Sequence, residues 1–254
     1  MRRRIRINPQ YEYLRNFIVR LPDIIDISGT YIYGGKRNLI KLFTADDGTS
    51  LNVKRFQKPR LLNNIVYSTG IRKPKGIRAF SYPNLLLAKG IETPEAVAYI
   101  EDRNSIGLLQ QSYFISIQCP YQHMLYELGD ASPVIYEPLA KALAQYAAFM
   151  HNKEVLHLDF SPGNILWDQT DNGQYHFSIV DINRMHFGPV SMKDGCKSFS
   201  RLWGPKRFIQ LMVEEYAHQR NFPPSACVEI TMKARANFWK RYMKKHEIEF
   251  KLEL

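Results

Sequence analysis

The chain has 254 residues, of which 45% are hydrophobic and 23% charged, and it carries a formal net charge of +11. That length suits one compact unit or two small lobes sharing a cleft, and the apolar content argues against disorder. No apolar run approaches the roughly 18 residues of a membrane span. Met1-Arg2-Arg3-Arg4-Ile5-Arg6 is followed by no apolar core or small-residue cleavage site, so it is not read as a secretory signal. Three scattered cysteines, Cys119, Cys196 and Cys227, give neither a disulfide framework nor a zinc pattern and fit a reducing cytoplasm. The seven histidines show no metal-ligand pairing such as His-Glu-x-x-His.

The positive charge favours an anionic partner: nucleic acid, a phosphorylated glycan or an acidic membrane surface. It is also local. Between Asp47 and Glu92 there is no acidic residue, while Lys54, Arg55, Lys58, Arg60, Arg72, Lys73, Lys75, Arg78 and Lys89 fall inside. Nucleic acid is suggested by charge alone, with no recognition motif, and is not expected as a partner.

In chain order, residues 1 to 20 mix arginines with Ile5, Ile7, Tyr11, Tyr13, Leu14 and Phe17, which predicts a surface helix or an arm lying on the first lobe. From Ile24 to Phe56 the pattern is strand-like. Thr30-Tyr31-Ile32-Tyr33 leads into Gly34-Gly35-Lys36, then Asn38 to Phe43; Asp46-Asp47-Gly48 is a hairpin turn, and Leu51 to Phe56 alternates as a half-buried strand does. Glycines at the first turn, Gly34 and Gly35, would let backbone N–H groups approach phosphate oxygens, or simply make a plain hairpin. Lys54 follows a valine on the third strand, where kinases keep the lysine that contacts the nucleotide phosphates; Arg55 faces the other way and is its competitor.

Lys75 to Gly90 reads as a helix with Gly90 as C-cap, and Pro83 either kinks it or marks its first turn. A kinase places a glutamate here to pair with the strand lysine, and this helix has none; Ser81 or Tyr82 stands in its place. Glu92 to Glu101 is a loop into a strand, Asp102-Arg103-Asn104 a turn, and Ser112 to Ile117 the next strand. Ser116 to Cys119 would be the hinge beside the adenine, and after Pro120 the chain becomes helical. Glu137-Pro138 opens a helix with proline at its first position, and Leu139, Leu143, Tyr146, Ala147 and Met150 form its apolar stripe.

Next comes His157-Leu158-Asp159-Phe160-Ser161-Pro162-Gly163-Asn164-Ile165-Leu166, which has the catalytic-loop spacing His-x-Asp-x-x-x-x-Asn of kinases. Asn164 to Trp167 and His176 to Val180 read as strands, and the second delivers Asp181. Phosphoryl transfer requires an aspartate to accept or orient the proton of the attacking hydroxyl. It also requires an amide oxygen and a second carboxylate to hold Mg²⁺, because magnesium prefers hard oxygen ligands. Asp159, Asn164 and Asp181 fill those places, while His157 packs beneath the loop. Two further helices are expected, Pro205 to Gln219 and Ser225 to Lys245, the latter burying Val228, Met232, Ala236, Trp239 and Met243 and ending in Lys240, Arg241, Lys244 and Lys245.

The catalytic-loop stretch, together with Asp181-Ile182-Asn183-Arg184-Met185, resembles the lipopolysaccharide kinase (Kdo/WaaP) family of bacteria, in which Asp-x-Asn-Arg stands where protein kinases have Asp-Phe-Gly. Lys54 in Val-Lys-Arg-Phe, Gly90-Ile91-Glu92-Thr93-Pro94, Ser112-Tyr113-Phe114 and the Cys196 to Leu202 segment support the resemblance, which runs from residue 29 to residue 202. It implies a kinase dependent on ATP and Mg²⁺ that acts on a heptose or Kdo hydroxyl of the lipopolysaccharide inner core at the cytoplasmic face. Under it, Asp159 is the catalytic aspartate, Asn164 and Asp181 are magnesium ligands, and Lys54 contacts phosphate. Asn183 and Arg184 shape the site below the metal, with Arg184 reaching toward an anionic acceptor.

The expected fold is therefore α+β, two-lobed and protein-kinase-like. A small antiparallel β-rich lobe (residues 1–117) binds nucleotide phosphates, and a mainly helical lobe (118–254) carries the catalytic loop, metal and acceptor sites. The expected partners are the lipopolysaccharide core or a lipid-linked precursor, with peripheral contact between the basic segments and the anionic inner membrane. Two rival readings keep the fold: transfer to a protein or soluble small molecule, or an inactive kinase-like binding module, for which the missing glutamate is the best support.

Overall fold

The computed structural model describes residues 2–34, 38–59, 74–129, 131–248 and 252–254. It divides into two compact units, Met1–Pro120 and Tyr121–Leu254. The first is built on a six-stranded sheet and the second is mainly helical, so the α+β class expected from the sequence holds.

The N-terminal stretch is not the expected surface helix or arm. Arg2–Ile7 is strand β1, at one edge of the sheet, antiparallel to β5 (Ala96–Arg103). Charge sets its register. Arg3 lies opposite Asp102 and donates to both carboxylate oxygens, at 2.8 and 3.2 Å, while Arg4 lies opposite Glu101. The alternation then turns Ile5 and Ile7 toward the apolar core with Arg3 on their face. A short 3-10 turn leads into α1 (Arg15–Ile24); Ile18 and Leu21 within it and Leu14 and Ile25 at its ends follow helical spacing and pack against Leu51, Val53, Val97, Ile100 and Ile115.

Three strands follow as expected: β2 (Thr30–Gly34), β3 (Asn38–Thr44) and β4 (Ser50–Phe56). With β6 (Leu109–Ile117), the sheet order is β1-β5-β6-β4-β3-β2, every pairing antiparallel. Helix α2 (Lys75–Leu87) packs on β5 and β6 with Pro83 buried inside it. Gly90 ends the segment as anticipated: at φ 74° it lets its own N–H reach Leu87 O and that of Ile91 reach Leu86 O, each at 2.9 Å, the two bonds of a Schellman cap.

Every residue of β5 is buried, including Glu101, expected in the strand, and Asp102 and Arg103, which were expected to begin the turn. They stay in the strand because each is paired. Arg103 donates to Glu101 at 2.8 Å, the Tyr99 hydroxyl donates to Glu101 at 2.9 Å, and Asp102 holds Arg3. The turn starts instead at Asn104, closed by Gly107 at φ 83°.

In the second unit, a short strand β7 (His123–Met124) and a 3-10 turn (Leu125–Gly129) precede α3 (Pro133–Asn152). The helix thus begins one turn before the expected Glu137-Pro138, with Pro133 at its first position and Pro138 tolerated one turn in. Its buried face, including Leu139, Leu143, Ala147 and Met150, packs on α5 (Lys206–Gln219). Between them in sequence lie β8 (Val155–His157), β9 (Ile165–Gln169), β10 (Tyr175–Ile179), β11 (Met185–Phe187) and α4 (Met192–Ser198).

The last helix, α6 (Pro224–Tyr242), buries Cys227, Thr231, Arg235 and Trp239; of the expected stripe of Val228, Met232, Ala236, Trp239 and Met243, only Trp239 is buried. The inward face is turned by one residue because Thr231 and Arg235 bind main-chain carbonyls: Thr231 Oγ1 donates to Cys196 O at 3.2 Å and Arg235 Nε to Leu202 O at 3.1 Å. Met243 is left 44% exposed. No helix among the described residues is long and apolar enough to cross a membrane.

Candidate active site

Two ladders bring the two motif segments side by side. Residues 158–164 run from β8 to β9, and residues 180–184 run from β10 to β11. β8 pairs with β11, His157 opposite Met185, and β9 pairs with β10, Ile165 opposite Ile179. Each segment therefore starts and ends beside the other. Two bonds stitch their ends: Leu158 N–H to Arg184 O at 2.9 Å, and Val180 N–H to Asn164 O at 3.0 Å.

His157 makes a third link. Its Nδ1 accepts from the Asp159 N–H and its Nε2 stands against Val180 O, both at 3.0 Å, so its proton sits on Nε2. The ring is 1% exposed, and burial pushes its pKa down, which keeps it neutral. Both ring nitrogens are engaged by the main chain as it packs beneath the loop. Phe160 and Pro162 are also buried, and Phe160 meets Phe199 edge-on at 6.0 Å. Gly163 has no Cβ because the Tyr126 ring covers it; a Cβ there would lie 2.6 Å from that ring.

On this frame the candidate side chains take defined places. The Asp159 side chain is 17% exposed, with Oδ2 3.3 Å from Arg184 Nη1 and Oδ1 2.5 Å from Arg201 Nη1. The Asn164 amide donates through Nδ2 to Asp159 O at 2.9 Å, which turns its oxygen, a hard donor, to the other side. Asp181 sits at φ 54°, a left-handed conformation uncommon outside glycine and associated with functional sites. Asn183 donates to Asp181 Oδ1 at 2.5 Å and is itself 5% exposed. The Asn183 amide oxygen is buried and has no hydrogen-bond partner among the described residues.

The second unit thus carries two groups of side chains on segments joined by main-chain bonds, Asp181 with Asn183 in one and Asp159 with Asn164 and Arg184 in the other. Arg201 belongs to the Asp159 group as well and was not singled out from the sequence. It follows α4 in a 3-10 turn, 42 residues from Asp159, and no local spacing connects them. Among the described residues no group of three or more His, Cys, Asp or Glu side chains forms a metal site. An amide oxygen and one carboxylate instead suit magnesium, which takes few protein ligands and completes its octahedron with phosphates and water.

Lys54 and Gly34 belong to the first unit. Lys54 lies on the inner strand β4, opposite Ile40 and Phe114, with its Nζ 5.4 Å from the Phe56 ring centre. Its rival Arg55 is taken by Asp26 at 2.7 Å. Gly34 ends β2 opposite Leu39, its carbonyl accepting from Tyr31 Oη at 3.0 Å; Gly35 lies outside the described residues.

Behind residues 158–164, His151 Nδ1 lies 2.8 Å from Tyr216 Oη, and Tyr216 packs edge-on to Phe199. Burial, reinforced by the charge of Arg220, pushes the His151 pKa down to about 3. The unfolded chain then takes up this proton first, so stability is undiminished above about pH 6.5 and falls as pH drops toward 3. The loss reaches about 1.4 kcal/mol per pH unit. Urea midpoints measured across that window are expected to decline less steeply for His151→Gln than for the wild type. Equal slopes would remove His151 from the acid response.

A model of the family described as "Lipopolysaccharide kinase (Kdo/WaaP) family" matches residues 54–203, more than half of the chain. No curated protein matches the sequence. Among solved structures the chain is similar to "WaaP in complex with acyl carrier protein", at 16% identity over 96% of this chain and 100% of that one, with a TM-score of 0.59. A Rio2 kinase complex with ADP, Mg²⁺ and phosphoaspartate from Chaetomium thermophilum gives 16% identity over 94% and 73% of the two chains, TM-score 0.48. A MAP kinase from Leishmania major gives 14% over 97% and 76%, TM-score 0.42. The first of these likenesses shows a kinase-like fold.

Proposed function

Because the chain belongs to the lipopolysaccharide kinase (Kdo/WaaP) family, phosphotransferases with sugar-hydroxyl acceptors, we propose that it transfers the γ-phosphoryl group of ATP to a heptose or Kdo hydroxyl. That hydroxyl belongs to the lipopolysaccharide inner core or its lipid-linked precursor. The observation that carries this reading is the double stitch holding the loops of Asp159, Asn164 and Asp181 side by side.

Asp159 takes or orients the proton of the acceptor hydroxyl as that oxygen attacks the γ-phosphorus and the bond to the ADP oxygen breaks. Asn164 and Asp181 are the residues that would hold Mg²⁺, whose charge neutralises the nucleotide phosphates. Asn183 keeps the Asp181 carboxylate oriented through the bond to Oδ1. Arg184, half exposed beside Asp159, reaches an anionic group on the acceptor. In the first unit, Lys54 contacts the phosphates, and Gly34 and Gly35 lend them backbone N–H groups. That unit serves the nucleotide and the second unit serves chemistry, metal and acceptor. The net charge of +11 suits a protein working peripherally at the cytoplasmic face of the anionic inner membrane.

The test is to give purified protein, ATP and Mg²⁺ three acceptors: dephosphorylated core oligosaccharide, generic protein substrates and soluble sugars. Phosphate is expected on the oligosaccharide. Phosphate on protein or soluble sugar alone would move the acceptor assignment. Nucleotide binding without transfer to any of them would favour a binding module.

A further inference from the structure

We propose that Arg201 is the positioning residue of Asp159, and that helix α6 is the element that holds Arg201 in place. The inference rests on the reading of Asp159 as the group that handles the acceptor proton.

Both carboxylate oxygens of Asp159 meet an arginine, but unequally. Oδ1 is 2.5 Å from Arg201, whose side chain is 32% exposed; Oδ2 is 3.3 Å from Arg184, which is 51% exposed. A carboxylate that must meet a hydroxyl needs one oxygen held and the other reachable. A close charge-assisted hydrogen bond to Oδ1 holds the plane of the group, and the longer, wetter contact at Oδ2 is the one an incoming hydroxyl displaces.

Arg201 is itself held from behind. Its guanidinium carbon lies 5.2 Å from the centre of the Phe238 ring on α6, a cation–π contact. One residue on, the Leu202 carbonyl accepts from Arg235 Nε at 3.1 Å, and the Leu202 N–H bonds Phe199 O at 3.1 Å. Arg235 is fully buried and also donates to the Glu253 carbonyl. With Thr231 on Cys196 O, α6 grips the segment from 196 to 202 at three points.

These contacts account for the polar residues on a helix face that apolar side chains would have filled more cheaply. Burying a guanidinium is costly, and spending it on main-chain carbonyls gains conformational specificity rather than bulk stability. The product of that specificity is the place of residue 201.

The experiment is a double-mutant cycle on steady-state phosphoryl transfer. Arg201→Ala is expected to lower kcat about 100-fold, the scale of a small misplacement of a reacting group, with the KM for ATP little changed. Arg201→Lys should recover part of the loss, and Phe238→Leu should lower kcat in the same direction by less. In the Asp159→Asn background, Arg201→Ala should cost nothing further, because the group it positions is gone. Should Arg201→Ala fold poorly, Arg201→Lys and Phe238→Leu carry the same cycle.

An unchanged kcat in Arg201→Ala, or equal losses with and without Asp159, overturns the proposal. If the wild type transfers nothing to core oligosaccharide but hydrolyses ATP, the acceptor assignment fails. The cycle then runs on ADP release with water as acceptor, where coupling upholds the role of Arg201 and additivity overturns it. A wild type without any ATP turnover overturns both.

Discussion

Asp159→Asn is expected to lower phosphoryl transfer at least about 10³-fold, toward the upper end of what a positioned general base contributes. The change is close to isosteric, so steric effects do not confuse it. The main-chain carbonyl of residue 159 still accepts from Asn164, and its N–H still donates to His157. The amide oxygen that replaces Oδ1 or Oδ2 still accepts from one arginine, so the stability change is expected to stay near 1 kcal/mol. Loss of transfer with a nearly unchanged thermal transition is the expected pair of results. Transfer at the wild-type rate would remove Asp159 from the chemistry.

Asp181→Asn is the second large effect. Residue 181 sits at φ 54°, a conformation that asparagine adopts at least as readily as aspartate, so the fold loses nothing at the backbone. The new amide oxygen still accepts from Asn183. What is lost is a negative charge where the nucleotide's magnesium is proposed to sit. Transfer is expected to fall about 100-fold or more and to require a higher Mg²⁺ concentration for half-maximal rate. A titration of rate against Mg²⁺ separates this from a folding defect: the midpoint moves up for Asp181→Asn and stays in place for Arg201→Ala. An unmoved midpoint in Asp181→Asn would take the residue out of the metal site.

The contrast between Asp181 and Arg201 also marks where sequence reading stops. That the segments of Asp159, Asn164 and Asp181 lie side by side is legible because the flanking strands are short, apolar and close in sequence. The strand that carries Lys54 is legible because it follows a hairpin turn and alternates, and its neighbour Arg55 pairs with Asp26. Arg201 is not legible: it reaches Asp159 by a tertiary contact that leaves no spacing in the chain.

The same physics explains the other departures. Arg2–Ile7 looks like a charged arm until Asp102 and Glu101, about a hundred positions away, supply opposite charge across a strand pair. Asp102 and Arg103 read as a turn because they are polar, and they remain in β5 because each finds a partner. On α6 an apolar-stripe rule selects Val228, Met232 and Ala236, whereas the buried positions include Thr231 and Arg235, which hold carbonyls of the preceding segment. Pattern rules see the solvent side of the balance and miss polar residues whose partners are distant.

The core oligosaccharide of living cells tests the account most directly. Its phosphate content, read by mass spectrometry, should fall by one group per core when the gene is deleted. A copy of the wild-type gene should restore that group, and a copy carrying Asp159→Asn should not. Identical cores in all three strains, or restoration by Asp159→Asn, would contradict it.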